Sequence, residues 1–322
     1  MTRRADQGRR LAAVVIVAAC TLATPLTASA FCRTTTSNVP ADYDPSISGC
    51  WQQGLPLYWA NACVSYDLQQ DASDQISYND AANGLATAFS KWTSTDCLES
   101  TGRSGRVSID VRDFGPVACD LVQYDQSGPN QHAIIFRDNE WPYDDTSNTL
   151  ALTTVTYNTE TGEIFDADME INTHSQTLSI SAVVPTGGYD FESIVTHETG
   201  HFLGMAHSDD ERATMYAHYT PGEDVMRSLT ADDVSGICTI YAPDGNREVA
   251  QAASATGVLM QEACDPTPRH GFTTQCMPAS SSCSVSRGAG RSGSSGAGPL
   301  LGLMGVASLL RARRRRAKPP SR

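Results

Sequence analysis

The stretch "HETGHFLGMAHSDDERATMY", residues 197–216, decides how the rest of this 322-residue chain is interpreted. It holds three of the chain's seven histidines, and Glu198 lies between the first two of them. His197 and His201 are four residues apart, so an α-helix places both rings on one face, a turn apart, where they can share one metal ion. Glu198 lies about 100° further round and can reach a water on that ion. The stretch therefore predicts a metal site on a helix with a carboxylate beside it.

The third histidine of the stretch depends on a glycine. His207 follows His201 by six residues, too far to share the helix face if the helix continued. Gly204 lies between them and accepts the left-handed conformation that ends a helix and turns the chain back, which brings in His207 as a third ligand. Three neutral imidazoles leave one position of a tetrahedral Zn²⁺ open for a water, and Glu198 is the expected general base. The alternative, a helix with surface histidines that bind nothing, suits any one histidine but not the complete spacing.

The periodicity of the flanking sequence predicts an α+β domain of about 200 residues. Alternating apolar residues predict strands around residues 64–68 and 107–111, a buried strand over 132–138, and a hairpin over 150–172 that turns at 159–162. Apolar residues at helical spacing predict three helices. Their candidate N-caps are Asn79, Asp190 and Thr230, the last in a capping box with Asp233.

The histidine motif, Met215 and the stretch "LTADDVSGICTIYAP" (229–243) together resemble the matrixins, the matrix-metalloproteinase branch of the metzincins. Ser208 and the pair Met215-Tyr216 favour that branch, and the resemblance extends over residues 50–243. It implies a zincin-like fold with a twisted, mixed five-stranded sheet, three helices and a Met-turn, in which Met215 is a hydrophobic floor and not a ligand. It also implies endopeptidase activity on an extended peptide bound antiparallel to an edge strand. The loop after the Met-turn supplies candidate substrate contacts, for which packing within the loop is an equal alternative: Tyr216, His218 and Tyr219.

The chain departs from the matrixin pattern at two places. No cysteine-switch prodomain like that of animal matrixins is evident, and Ile164 stands where a structural-zinc histidine would fall. His132 and His174 have no matching partners, so we expect one catalytic zinc and no structural zinc. Three acidic residues alternate along the predicted second hairpin strand and are candidate calcium ligands, with a solvated edge face as the alternative: Asp166, Asp168 and Glu170.

Both ends of the chain have the composition of processing signals. Residues 1–30 are predicted to be a secretory signal peptide cut after Ala30, with a lipoprotein signal at Cys20 as the alternative. Residues 31–49 are then an N-terminal arm, 50–245 the catalytic domain, and 246–298 a low-complexity linker. The apolar segment 299–310 falls short of the ~20 residues that span a bilayer. With Cys283 and the arginine-rich end it resembles myxobacterial C-terminal sorting signals. The resemblance implies that a sorting enzyme processes the chain at Cys283 and removes 299–322; a basic solubilising tail is the alternative.

Cysteine content and charge bound the function further. Without Cys20 and Cys283, eight of the ten cysteines remain, enough for four disulfides, and proximity favours Cys97–Cys119 and Cys264–Cys276. Residues 1–30 carry a net charge of +3 and residues 311–322 carry +7, so the rest of the chain carries −23, which disfavours nucleic acid as a partner. The sequence therefore predicts a secreted or surface-attached zinc endopeptidase acting on proteins or peptides. A non-catalytic zinc-binding surface adhesin on the same scaffold is the alternative, although such a protein would not need Glu198.

Overall fold

A computed structural model describes residues 31–40, 43–98, 104–144, 148–243, 245 and 264–276, and the backbone of 305–312. The predicted signal segment, Cys20 and Cys283 lie outside the described residues. The strands, in chain order, are β1 Cys32–Arg33, β2 Cys63–Gln69, β3 Asp96–Cys97, β4 Gly105–Arg106, β5 Asp110–Val117, β6 Ala133–Phe136, β7 Thr149–Tyr157, β8 Ile164–Ile171, β9 Leu178–Ser179, β10 Tyr189–Asp190, β11 Met205–Ala206, β12 His218–Tyr219 and β13 Gly305–Ala312. The helices are α1 Pro45–Ser48, α2 Tyr78–Thr93, α3 Phe191–Phe202 and α4 Ala231–Ile240, with a 3-10 turn at Val225–Arg227.

The domain is built on five strands in the order β5-β2-β6-β8-β7. β2 pairs in parallel with β5 and β6, and β6 pairs in parallel with β8. The chain turns at Gly162, which has a φ of 77°, between β7 and β8, and these two strands pair antiparallel. β7 forms one edge of the five-stranded sheet. The predicted α+β fold with a mixed five-stranded sheet is confirmed. At the β7 edge, the short strand β12 and the C-terminal strand β13 extend the sheet.

Two of the three long helices begin at the predicted residues. The carboxylate of Asp190 accepts the Ser193 N–H at 2.8 Å to cap α3, and the Thr230 N–H donates to Asp233 at 2.8 Å at the start of α4. For α2 the prediction of Asn79 is wrong, because α2 already begins at Tyr78. Its cap is Ser77, which has an extended backbone and a short hydroxyl that accepts the Asp80 N–H.

The strand expected over residues 107–111 begins later, at Asp110. Val107 and Ile109 are buried, as their alternation implied, but the Val107 N–H donates to Thr95 O and the Ser108 N–H donates to Tyr241 O. The first of these hydrogen bonds holds the segment to the residue before β3, and the second holds it to the end of α4. The alternation of apolar residues in this segment correctly indicated which side chains are buried, but a buried side chain does not require that its backbone belong to a strand.

The eight remaining cysteines form four disulfides, as expected, but both proposed pairings are wrong. The bridges are Cys32–Cys50, Cys63–Cys264, Cys97–Cys238 and Cys119–Cys276. The predicted pairings are wrong because closeness in sequence does not imply closeness in space. The strand β5 lies between Cys97 and Cys119 and separates them along the edge of the sheet.

Two of these bridges fix the segment Cys264–Cys276, which we call the C-terminal strap, to the five-stranded sheet. The Ala118 N–H donates to Thr274 O at 2.7 Å, and the Asn130 N–H donates to Gly271 O at 2.8 Å. The guanidinium of Arg269 lies 3.9 Å from the centre of the Phe165 ring. The strap is therefore held by covalent, backbone and side-chain contacts. Within the described part of the chain, no helix is long and apolar enough to cross a membrane.

Candidate metal centre

Three histidines meet at the C-terminal end of α3. His197 and His201 lie on the helix with their Nε2 atoms 3.0 Å apart, and His207 comes from the loop that follows. One ligand atom from each residue lies within 4.8 Å of the other two, and this trio is the metal-holding group found among the described residues. His197 and His201 are almost fully buried. The structure thus brings together the three ligands expected from the sequence.

Gly204 makes this meeting possible. α3 ends at Phe202, and Gly204 has a φ of 92°, in the left-handed region that favours glycine. A Cβ at this position would lie 2.9 Å from the carbonyl oxygen of Leu57, so a side chain would also clash with the backbone. After the turn, β11 pairs antiparallel with β1, and this pairing directs the chain into His207.

Backbone carbonyls orient the two helical histidines. The Nδ1 of His197 lies 2.7 Å from Thr214 O, and that of His201 lies 2.8 Å from Met205 O. A carbonyl only accepts, so each Nδ1 carries the proton and each Nε2 keeps a lone pair for a metal ion. Burial lowers the pKa of His201 to about 4 and holds the pKa of His197 well below its usual value. Both rings are therefore neutral near pH 7, and this nitrogen donor set suits Zn²⁺.

Glu198 is fully buried beside the trio. Its Oε2 accepts a hydrogen bond of 2.6 Å from the hydroxyl of Thr153 on β7, whereas its Oε1 accepts none from any described residue. In the metal-free centre, burial raises the pKa of Glu198 to about 8, and the Thr153 hydroxyl opposes the rise. The charge of a metal ion bound to the three imidazoles would lower this pKa and favour the carboxylate. A buried acceptor without a donor is costly, and a water held by a metal ion on the three imidazoles would supply the donor. The residues present therefore fit a hydrated Zn²⁺.

Met215 lies beneath the helix that carries His197 and His201. It is fully buried, and a Cβ added to Gly200 would lie 2.3 Å from its sulfur, so α3 rests directly on the methionine. The carboxylate of Asp233 holds this turn, since it accepts the N–H of Thr214 at 2.9 Å and that of Met215 at 3.1 Å. Sequence reasoning identified Asp233 only as a helix cap. No local pattern marks its second role, because the turn that it holds lies 18 residues earlier.

The candidate substrate contacts have different surroundings. Tyr216 and Tyr219 are buried, and the Tyr219 hydroxyl donates to Glu223 O, so both tyrosines pack the loop. His218 is partly exposed on β12, with its Nε2 3.4 Å from the carboxylate of Asp44. Contact with a substrate stays a prediction for all three residues.

The three alternating acidic residues are buried. β8 lies between β6 and β7, so the alternative of a solvated edge face is wrong for Asp166, Asp168 and Glu170. The two oxygens of Asp168 accept the N–H groups of Ala133 (2.7 Å) and Gln123 (3.0 Å), and Glu170 pairs with Arg137 at 2.6 Å. Two of the three carboxylates therefore already have protein donors. Calcium binding here stays a prediction.

The two other histidines singled out in the sequence have protein partners of their own. His132 is buried, with Nδ1 2.8 Å from Ser65 O and its ring packed on Trp59. The exposed His174 has its Nδ1 3.1 Å from Asp138 O. Neither belongs to the trio that can hold an ion.

Comparison with known proteins agrees with this geometry. The profile of the Matrixin family matches residues 58–242. Matrix metalloproteinase-C of Caenorhabditis elegans is 26% identical over 194 residues, which cover 59% of this chain and 29% of that protein. Metalloendoproteinase 1-MMP of Arabidopsis thaliana is 46% identical over 55 residues (17% and 15%), and human neutrophil collagenase is 37% identical over 82 residues (26% and 16%). The matched regions thus span less than a third of each relative.

Proposed function

Because this chain belongs to the matrixin family, we propose that it is a zinc endopeptidase that hydrolyses peptide bonds with a water activated by Glu198. One observation carries the proposal: the unpartnered Oε1 of the buried Glu198 lies beside three imidazoles that converge on one point. A structural metal site needs no such carboxylate, since four protein ligands would close it.

Each polar group at the centre has a separate role in this reaction. A bound Zn²⁺ ion supplies Lewis acidity, which acidifies a water and polarises the scissile carbonyl. Glu198 Oε1 takes the proton of the attacking water and returns it to the leaving amine. The Thr153 hydroxyl fixes Oε2, so the carboxylate cannot rotate away. Thr214 O and Met205 O keep His197 and His201 in the tautomer that leaves Nε2 free.

The proposed substrate is a protein or peptide in extended form. β7 is an edge of the five-stranded sheet, and Thr153 within it contacts Glu198. An extended chain that pairs antiparallel with β7 would therefore pass the metal centre, which is the orientation that the matrixin resemblance implies.

We also propose that the protein acts outside the cytoplasm, secreted or attached to the cell surface. The four disulfides of the described residues support this location, because such bonds persist in oxidising compartments. The signal peptide and the sorting enzyme at the C-terminal end remain proposals that rest on the sequence. Calcium at the β8 carboxylates is likewise a separate proposal.

Glu198→Gln tests the mechanism. In the full chain loaded with zinc, this change should reduce cleavage of a peptide library by at least about 100-fold while the bound zinc stays at one ion per chain. Glu211→Gln is the matched control, because it makes the same change at an exposed site in the loop after His207. Cleavage by Glu198→Gln at the wild-type rate would disprove the mechanism. A wild-type chain that binds zinc and cleaves no peptide would favour the adhesin alternative.

A further inference from the structure

The C-terminal segment of the chain lies along the edge strand beside the metal centre. β13 pairs antiparallel with β7 from Gly305 opposite Thr156 to Arg311 opposite Thr149. Its far side pairs in parallel with β12, where Arg311 lies opposite His218. β13 thus pairs with β7 over most of its length and with β12 over its last two residues, Arg311 and Ala312, which places its C-terminal end in a slot between the two strands.

The register of this pairing places the segment at the proposed active site. Ser308 lies opposite Thr153, the residue whose hydroxyl holds Glu198. Residues opposite each other in an antiparallel pair have Cα atoms about 4.5–5.5 Å apart. A peptide substrate that uses β7 needs the same row of backbone groups, so the segment and a substrate cannot occupy the slot together.

We propose that the segment Gly305–Ala312 is an intramolecular competitor that fills the peptide-binding slot between β7 and β12 until it is released. The inference rests on the proposed peptidase function, and it adds to that function a means of control carried by the same chain. Main-chain pairing carries most of the affinity in such strand addition, so the segment needs no substrate-like sequence.

The chain is long enough to reach the slot. The strap ends at Cys276, which is bridged to Cys119, and 28 residues separate Cys276 from Gly305. Twenty-eight residues can span up to roughly 95 Å, whereas a domain of this size has a radius of gyration of about 16 Å. The net charge of +7 on residues 311–322, against −23 on the body, favours the same docking.

The linker of residues 277–304 determines how strongly a weakly binding β13 competes with a peptide substrate. A flexible link of this kind gives an effective concentration on the order of 1 mM. If the free segment bound with a Kd of about 0.1 mM, the apparent KM of a substrate would rise roughly tenfold at unchanged kcat. Hydrolysis of one peptide bond between the strap and β13, which consumes one water, would remove the tether and open the slot. The predicted processing of residues 299–322 would then also activate the enzyme.

Proline substitution in the full chain tests the inference without removing any segment. Ala307 and Ser308 lie opposite Thr154 and Thr153 of β7, and Ala307→Pro with Ser308→Pro removes two consecutive backbone N–H groups, so one ladder contact to β7 is lost. Ala317→Pro with Ser321→Pro is the matched control outside the paired residues. With an internally quenched peptide substrate, we expect the first variant to lower KM about tenfold with kcat unchanged, and the control to behave like the wild type. Equal KM values for all three proteins would overturn the inference while the peptidase function stands.

A binding measurement separates this inference from the proposed function. The probe is a fluorescently labelled peptide of residues 303–314, and the receptor is the chain ending at residue 298 with Glu198→Gln. This chain keeps the five strands, the helices and all eight bridged cysteines. Saturable binding below about 1 mM, displaced by the unlabelled peptide but not by the same peptide with Ala307→Pro and Ser308→Pro, supports the inference even if no form of the chain cleaves peptides. Absence of binding at that concentration, or rapid cleavage of the peptide by the active chain, would refute a competitor role.

Discussion

Asp233→Asn should weaken zinc binding about 10- to 100-fold, although Asp233 does not touch the ligands. Its Oδ2 accepts the Thr214 N–H, the Thr230 N–H and the Thr230 hydroxyl at 2.8–2.9 Å, and its Oδ1 accepts the Met215 N–H at 3.1 Å. The carbonyl of Thr214 in turn orients His197. One buried carboxylate therefore fixes the Met-turn and, through Thr214 O, the orientation of His197, a proposed zinc ligand.

The magnitude follows from what an amide can replace. The single oxygen of the substituted asparagine can occupy the Oδ2 position, but its three contacts become neutral hydrogen bonds, which are weaker than those to a charged acceptor. The NH₂ group of that amide then faces the Met215 N–H and leaves this donor unsatisfied, at a cost of about 1–3 kcal/mol. We expect a total loss of about 3 kcal/mol in the free energy of unfolding of the metal-free protein.

Two assays measure these effects separately. Urea unfolding in the presence of a chelator gives the stability of the metal-free chain, and competition with a chromophoric chelator gives the zinc Kd. Asp209→Asn is the control, because it makes the same charge change at an exposed position in the loop after His207. If Asp233→Asn altered the free energy of unfolding by less than about 0.5 kcal/mol and left the zinc Kd within about twofold of the wild type, the Met-turn would not depend on this carboxylate.

Three further outcomes are expected. Thr153→Val removes the hydroxyl that holds Glu198 and should lower kcat/KM roughly tenfold with zinc content unchanged; steady-state kinetics with an unaltered kcat/KM would contradict it. Removal of zinc should abolish cleavage. It should also lower the free energy of unfolding by about 4 kcal/mol relative to protein in a free zinc concentration of about 1,000 times the Kd. Thermal unfolding that does not respond to zinc would contradict this prediction. Burial raises the pKa of Asp67 from 3.8 to about 7. Between about pH 4 and pH 7 the folded state therefore binds more protons than the unfolded state. The contribution of Asp67 to the free energy of unfolding consequently falls as the pH rises through this range. Asp67→Asn should therefore match the wild type near pH 4 and exceed it by up to roughly 4 kcal/mol at pH 8, whereas a difference independent of pH in urea unfolding would refute the titration of Asp67.

The parts of the site that the sequence predicts are those fixed by local geometry. Helix pitch alone places His197 and His201 together, and the need for a positive φ explains Gly204. Both constraints act within a few residues, so spacing and residue type are enough to reveal them. The same holds for Asp190, whose capping contact lies within one turn of α3.

The parts that the sequence did not reveal depend on contacts between distant residues. Cys97 pairs with Cys238, 141 residues away, and only the complete fold brings α4 beside β3. The alternating carboxylates of β8 resembled a solvated face because alternation indicates two faces but not what covers each one. The strap covers part of this sheet through Arg269, whose ring contact on Phe165 has no local sequence signal.

The two bridges of the C-terminal strap also determine how a cut chain behaves on a gel. A single cut between residues 246 and 263 leaves both pieces joined through Cys63–Cys264 and Cys119–Cys276. Such a chain migrates as one band without reductant and as two bands with it. A cut between residues 284 and 304 releases the C-terminal piece in either condition, because the sequence has no cysteine after Cys283. Electrophoresis with and without reductant therefore distinguishes a harmless nick from the cut that would free β13.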